Sequence, residues 1–340
     1  MNDLASRPLR LGILGAANIA RAFTSGVATS KIVSVAAVAS RDAGKGEVFA
    51  RECGIPRSVG SYEALLADPD IDAIYNPLPN SLHAEWSIRA LEAGKHVLCE
   101  KPLAMNVGEV RAMFAAAAKA GRHLVEAYPY RAQPQTLKLR ELLAEGAIGK
   151  VRLIRSSFGV AFSDPANIRL IPDVGGGSLL DAGSYAVSLA LLAAGERPAR
   201  VHAMAAWGET GVDLSVAATL TFPSGILAQV SSSFATAFHR HALIAGDAGW
   251  IETTYLNHPP MGGPPILNIR RGTTLGIPVE TIEVAGGNGF LAEAESFRDM
   301  ILEGPSRWTG ATPEQSVDIA LTLDAIARSA RSGATVDLAD

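Results

Sequence analysis

Cysteine is scarce: Cys53 and Cys99 are the only two in 340 residues, too few for a disulfide framework or a structural zinc site. Long apolar runs are scarce as well. The richest stretches, Val33–Ala39 and Leu179–Ala194, are broken by small or polar residues and read as well short of a membrane span. Met1 to Arg10 is polar and lacks the apolar centre of a secretory signal. Charge of one sign is missing too. A net charge of −4 gives no general attraction to nucleic acid or to an anionic membrane, so any anionic cofactor must be held by local groups. No internal repeat or low-complexity tract is visible, although Pro259–Pro265 is a marked Pro/Gly loop. These absences point to a cytoplasmic protein with neither nucleic acid nor membrane as partner and with no metal site. What is present is an ordinary globular composition, 48% hydrophobic and 19% charged, on a chain long enough for two hydrophobic cores.

The first part of the chain alternates short apolar runs with helical patterns. Strands are expected at Leu9–Leu14, Ile32–Ala39, Ile71–Tyr75, His96–Cys99 and His123–Ala127. Helices are expected at Ile19–Ala28, Asp42–Cys53, Ser81–Ala93 and Val107–Ala120. Regular alternation of this kind predicts a doubly wound parallel sheet with helices on both faces, a Rossmann-type domain over residues 1–127. From residue 128 the pattern changes. A helix over Gln135–Glu145 precedes a strand at Val151–Val160 and a helix over Ser178–Leu192. Strands then follow one another at Arg200–Trp207, Leu214–Phe222, Ile226–Phe234, His241–Ala245, Trp250–Thr254, Ile266–Arg270 and Pro278–Val284. Two helices, Leu291–Leu302 and Pro313–Ser329, close the chain. Strands in succession predict a mostly antiparallel sheet, hence an α+β domain over residues 128–340.

After the first strand stands Gly15-Ala16-Ala17-Asn18-Ile19-Ala20, opening a helix. A dinucleotide fingerprint reads G-x-G-x-x-G/A there, so that a tight turn and a helix N-terminus meet pyrophosphate. One glycine of three is a weak signal, and a ligand-free β-to-α turn reads the same way. At the end of the second strand lie Ser40, Arg41 and Asp42. A carboxylate at this strand end suits the ribose hydroxyls of NAD, whereas uncharged Ser40 followed by Arg41 offers a charged fork for a 2′-phosphate. NADP is therefore favoured over NAD. The alternative makes Arg41 a solvated helix-start residue and Asp42 an N-cap.

The most specific stretch is Ala93-Gly94-Lys95-His96-Val97-Leu98-Cys99-Glu100-Lys101-Pro102, with Glu100, Lys101 and Pro102 at the carboxyl end of a strand, the edge where open α/β sheets bind ligands. A Lys-Pro bond adopts the cis form more readily than other pairs, which would aim Lys101 at a ligand; otherwise Lys101 is a surface lysine in a turn. With Asn80-Ser81-Leu82-His83 and the loop at Gly15, this stretch resembles the Gfo/Idh/MocA oxidoreductase family across essentially the whole chain. Glu126-Ala127-Tyr128-Pro129-Tyr130-Arg131 and Gly175-Gly176-Gly177-Ser178-Leu179-Leu180-Asp181-Ala182-Gly183-Ser184-Tyr185 are similar to its branch containing dimeric dihydrodiol dehydrogenase and NADP-dependent D-xylose 1-dehydrogenase.

The resemblance implies a cofactor site made from Gly15, Ala17, Asn18, Ile19, Ser40, Arg41, Pro77, His83, Glu100, Lys101 and Pro102. Substrate contacts are implied at Tyr128, Arg131 and Arg169. It also implies an open-faced sheet in the second domain that joins two copies of the chain as a homodimer. Ala17 replaces a family glycine in a way common in that branch, and many relatives carry His where this chain has Tyr185. From the residues themselves, Asp181 and Tyr185 lie four apart on an expected helix, hence on one face. They read either as a catalytic pair or as a packed tyrosine with an aspartate near a helix start. A phenol titrates at about 10, and a nearby Lys101 ammonium would lower that.

The expected chemistry is hydride transfer between NADP, with NAD possible, and a CH–OH carbon of a small carbohydrate-like substrate: a sugar, cyclic polyol or dihydrodiol. Tyr185 moves the hydroxyl proton, Lys101 binds the developing oxyanion, and Asp181 orients the substrate or Lys101. Reduction of a keto-sugar is the same chemistry reversed. A nicotinamide-binding sensor without catalysis is the non-enzymatic alternative, opposed by an intact Lys101, Asp181 and Tyr185. His83 could line the nicotinamide site or cap and pack locally, and Arg131 and Arg169 could instead pair with a carboxylate at the domain interface. Trp86 reads as core, and His239, His241 and His258 lack metal-ligand spacing. Substrate choice is expected to lie in Ser163–Val174 and His258–Pro265.

Overall fold

The computed structural model describes residues 3–258, 260 and 263–338. Pro259, Met261 and Gly262 of the Pro/Gly loop, and hence part of the expected specificity loop His258–Pro265, lie outside the described residues, as do Met1 and Asn2 of the N-terminal segment. Two compact units emerge. The first holds the chain through Ala104, then Gly108–Ala132 and Gly287–Ser316. The second holds Met105–Val107, Gln133–Gly286 and the chain from Val317 onward.

In the first unit, β1 (Leu9–Leu14), β2 (Val33–Ala39), β3 (Ser58–Val59), β4 (Ala73–Asn76), β5 (His96–Glu100) and β6 (Leu124–Ala127) form a parallel sheet in the order β3-β2-β1-β4-β5-β6. The chain works outward from β1, then crosses to β4 and works the other way. The crevice at that switch is where such sheets take ligands. Helices α1 (Asn18–Val27), α2 (Ala43–Cys53), α3 (Tyr62–Ala67), α4 (His83–Glu92) and α5 (Val107–Ala120) connect the strands. β3 and α3 are absent from the sequence expectation because two and six residues are too few to establish a period. Helix α3 nevertheless has a cap: Ser61 accepts a bond from the Ala64 N–H at 3.1 Å.

Short helix α6 (Pro129–Ala132) follows β6, and α9 (Gly289–Glu303) returns from far along the chain to this same core. Phe23 of α1 stacks on Tyr75 of β4 at 3.9 Å between ring centroids and meets Phe290 of α9 edge-on at 6.2 Å. Phe290 and Phe297 are 1% and 0% exposed. Burying each stabilises by roughly 1.5–3 kcal/mol, which is why α9 belongs to the first core rather than to its sequence neighbours.

The second unit contains α7 (Pro134–Ala144), β7 (Val151–Gly159), α8 (Ser184–Ala194), β8 (Arg200–Trp207), β9 (Asp213–Thr221), β10 (Leu227–Ser233), β11 (His239–Gly246), β12 (Gly249–Thr253), β13 (Ile266–Arg271), β14 (Glu280–Glu283), α10 (Pro313–Ser332) and β15 (Val336–Asp337). Among the described residues the strands form one nine-stranded sheet, β14-β13-β12-β11-β7-β10-β9-β8-β15, antiparallel except where β10 pairs with β7. One face is covered and the other is open. Along β8 to β10, Val201, Ala203, Val216, Ala218, Ala228 and Val230 are buried, and alternate positions such as Met204, Thr219 and Gln229 face out. Met204 is 73% exposed. The architecture is thus the expected α/β fold with a parallel sheet plus a mostly antiparallel one.

Two sequence expectations need correction. Pro172–Ala194 is long and apolar enough, by length and composition, to cross a membrane, but most of it is buried inside the protein, as in the core helix of a folded domain. The helix expected over Ser178–Leu192 begins as a π turn, Leu179–Gly183, before α8. The Ser184 hydroxyl donates to the Asp181 carbonyl at 2.9 Å, which competes with the regular ladder. Asp181 and Tyr185 therefore do not share a simple α-helical face.

Candidate active site

The carboxyl edge of the parallel sheet gathers most of the expected cofactor residues. Gly15 follows β1 with φ +85°, a conformation that excludes most side chains, and a Cβ there would press on Leu78 at 3.0 Å. Ala17 is the N-cap of α1, with extended φ −82° and ψ 153°, which an alanine adopts without strain. That is why the missing second glycine is tolerated locally. Ala17 offers no side-chain cap, so the first-turn N–H groups of α1 keep their donor capacity, beside exposed Asn18 and half-buried Ile19.

Past β2, Ser40 is buried and its hydroxyl accepts from the Asp42 N–H at 3.2 Å. Asp42 caps α2, accepting from the Lys45 N–H at 3.0 Å, and pairs with the Lys45 ammonium at 3.7 Å. Arg41 is exposed and has no hydrogen bond or ion pair among the described residues. The acid at this strand end is thus committed to its helix, and the cation beside it is available to an anion. This donor set fits a dinucleotide.

After β4 come buried Pro77 and Leu78, and after β5 comes the turn at Glu100, Lys101 and Pro102, with a cis Lys101–Pro102 bond. His83 joins the two loops. It is 1% exposed, its Nδ1 lies 2.8 Å from the Pro102 carbonyl and its Nε2 lies 2.7 Å from the Leu78 carbonyl. Burial first, with the Lys101 charge opposing ionisation as well, lowers its pKa to about 4 against the two carbonyls. The neutral ring donates to only one of them, and it presents neither nitrogen to solvent. Lys101 itself is half-buried.

Behind this turn sits a buried set of carboxyl groups, of which the sequence reading assigned a role only to Glu100. Tyr75 donates to Glu100 at 2.6 Å, and the Leu103 N–H donates to Glu126 at 3.0 Å. Burial pushes Glu126 up to about 7, opposed by the Leu103 bond and the Arg131 charge. Burial, with the Glu100 charge second, pushes Glu293 well above the carboxylate range. Tyr128 has no exposed surface, and Arg131 is 2% exposed and donates to Gln315 at 3.0 Å. The structure encloses both.

In the second unit, Gly177 takes φ +118°, and a Cβ there would run into the Asp213 carboxylate. Asp213 in turn accepts from the Ser178 hydroxyl at 2.8 Å and the Leu179 N–H at 2.7 Å, fixing the start of the π turn. Asp181 takes the Nε–H of Arg169 at 2.5 Å, while the Arg169 guanidinium lies over Phe162 at 5.0 Å. Arg169 thus pairs with a carboxylate of its own unit. Tyr185 is 5% exposed. Asn257 donates from Nδ2 to its hydroxyl oxygen at 3.1 Å, Phe158 meets its ring edge-on at 5.7 Å, and the Arg240 guanidinium covers its face at 3.9 Å. Arg240 and Asn257 were passed over in sequence because nothing local marks them. The signal lies in strand register, where Arg240 of β11 stands opposite Phe158 of β7. Among the described residues no group of three or more His, Cys, Asp or Glu side chains is placed to hold a metal ion.

Residues 9–128 match the family model described as an oxidoreductase family with an NAD-binding Rossmann fold, and residues 136–252 match the GFO/IDH/MocA C-terminal domain. The chain is 38% identical to D-xylose 1-dehydrogenase (NADP(+)) 2 of Haloferax volcanii, over 97% of this chain and 100% of that one. It is 36% identical to trans-1,2-dihydrobenzene-1,2-diol dehydrogenase of Xenopus laevis, over 86% and 89%. Its fold matches the solved 3-ketoreductase of Actinomadura kijaniata with NADP and TDP-benzene at a TM-score of 0.85 and 32% identity, covering 95% of this chain and 98% of that one.

Proposed function

The chain belongs to the Gfo/Idh/MocA oxidoreductase family, and from that membership we propose that it moves a hydride between NADP and a CH–OH carbon of a sugar, cyclic polyol or dihydrodiol. It is an NAD(P)-dependent oxidoreductase; NADP is the proposed preference within that class. The observation that carries the reading is the strand end at Ser40–Asp42, where the carboxylate is spent on capping and Arg41 stands exposed.

Bound nicotinamide supplies or accepts the hydride. The chain's own residues bind, orient and move protons. The Gly15 turn and the first turn of α1 hold pyrophosphate, and Arg41 pairs with a 2′-phosphate. Tyr185 takes the substrate hydroxyl proton during oxidation and returns it during reduction, and Lys101 holds the developing oxyanion. Asp181, ion-paired with Arg169, orients the substrate side. Tyr128 and Arg131, being enclosed, act by stiffening the chain behind the Lys101 turn. Physiological reduction of a keto-sugar is the second reading, supported by likeness to a 3-ketoreductase and requiring no change of residue roles. The open face of the second sheet, with a shallow hollow of about 610 Å³ beside Met204 and His241, is proposed to be covered by a second copy of the chain.

The test is an initial-rate screen of aldoses, cyclitols and trans-dihydrodiols, each with NADP and NAD in parallel. Lys101→Met should still bind NADP, measured by fluorescence, yet lose turnover by roughly two to four decades. Undiminished turnover in that variant removes Lys101 from the mechanism.

A further inference from the structure

The second unit places a cation against Tyr185 that has no part in the proposed hydride and proton transfer. Arg240 is 7% exposed, and its guanidinium lies 4.8 Å from the ring centroid of Phe158, 3.9 Å from that of Tyr185 and 4.9 Å from that of Tyr255. Both its terminal nitrogens reach Asn257 Oδ1 at 3.4 Å. A guanidinium only donates, so the carboxamide oxygen must face it, which leaves the Asn257 NH₂ to donate to the Tyr185 oxygen. Asn257 is itself anchored, its carbonyl accepting from Gln133 Nε2 at 2.7 Å. Tyr255 is fixed as well, donating to the Ser157 carbonyl at 2.8 Å and accepting from the Ser156 hydroxyl at 3.0 Å.

We propose that Arg240, seated on the ring face of Tyr185 and linked to its oxygen through Asn257, is the positioning residue that promotes ionisation of that phenol. The inference rests on the reading of Tyr185 as proton carrier. A phenolate spreads its charge into the ring, so a cation over the ring face favours the anion more than the neutral phenol. Burial opposes this by disfavouring any charged form. The titratable and charged groups on the surrounding elements are few. His239 and His241 flank Arg240 on β11, Tyr255 follows β12, and Asp181 of the π turn is paired with Arg169 of the short helix Ile168–Leu170. His258, next to Asn257, is held below the usual imidazole range by burial and then by Arg240, so it adds no charge at neutral pH. From β7 come Ser156 and Phe158, neither of which titrates in the working range.

The experiment is a pH titration of tyrosinate absorbance in the full-length protein without coenzyme, taking the difference between each protein and its Tyr185→Phe counterpart. Tyr185 should titrate below the usual value of about 10. Arg240→Gln should raise its midpoint by about one to three units, and Arg240→Lys should recover part of that shift. The ascending limb of the oxidation rate against pH should move with it. An unchanged midpoint in a folded Arg240→Gln protein overturns the proposal. So does a wild-type midpoint at or above about 10, which needs no variant at Arg240. A normal rate in Tyr185→Phe alongside an intact Arg240-dependent shift upholds the coupling and removes Tyr185 as proton carrier.

Discussion

Asn257 donates a hydrogen bond to the Tyr185 hydroxyl oxygen across 72 positions of chain, at 3.1 Å. An oxygen that accepts a fixed donor bears negative charge more readily, since a bond made to the charged form favours that form. Replacing Asn257 with leucine removes this donor and the link to Arg240 together. Bonds to charged groups are worth about 1.5–3 kcal/mol, so turnover at neutral pH should fall by roughly ten- to a hundredfold and recover toward alkaline pH. A pH–rate profile that keeps its shape and height in Asn257→Leu removes this bond from the chemistry. Because Asn257 and Arg240 share a contact, the Asn257→Leu and Arg240→Gln losses should add to less than their sum in the double variant.

Arg41 carries the coenzyme preference in this reading. Its neighbour Asp42 already accepts the Lys45 N–H through Oδ1 and faces the Lys45 ammonium at 3.7 Å through Oδ2. Arg41→Ala should raise the KM for NADP by about ten- to a hundredfold, the worth of one charge-assisted contact, and leave the KM for NAD nearly unchanged. Equal effects on both coenzymes would mean that no 2′-phosphate reaches this residue.

The parallel sheet was legible because period-2 apolar runs alternate with period-3.6 helices, and Gly15 and the Glu100–Pro102 turn fall where those runs end. The surroundings of Tyr185 were not. Arg240 matters through the register of β11 on β7, and Asn257 through a loop that returns to α8; neither relationship leaves a local pattern. The π turn was equally hidden, since it depends on Asp213, more than thirty residues downstream of Ser178, gripping the Ser178 hydroxyl and the Leu179 N–H. Helix α9 shows an apolar stripe in sequence, but a stripe does not name the core it fills, and here that core is built by Phe23 and Tyr75.

Acid stability should depend on His96. Its Nδ1 accepts the His123 N–H at 3.1 Å, so a proton on that nitrogen would face a donor. Burial first, then the neighbouring His123 and Arg122 charges, lower its pKa to about 4 from 6.5. The unfolded chain therefore binds this proton more readily than the folded one between those values. Stability should fall as pH drops from about 6.5 to about 4 and level off below, by about 3 kcal/mol from this group. His83, held at about 4 by its own burial, acts with the same sign. Glu126 acts with the opposite sign, because its folded value of about 7 lies above 4.5 and its contribution is present at low pH and lost as pH rises through that window. An absolute stability curve mixes all three groups, so the measurement is a difference. His96→Asn keeps an acceptor for the His123 N–H but cannot titrate. Urea unfolding at pH 7 and at pH 4 should show the variant losing about 2–3 kcal/mol less than the parent across that interval. Parallel losses in the two proteins would mean that the imidazole is free to ionise in the folded state.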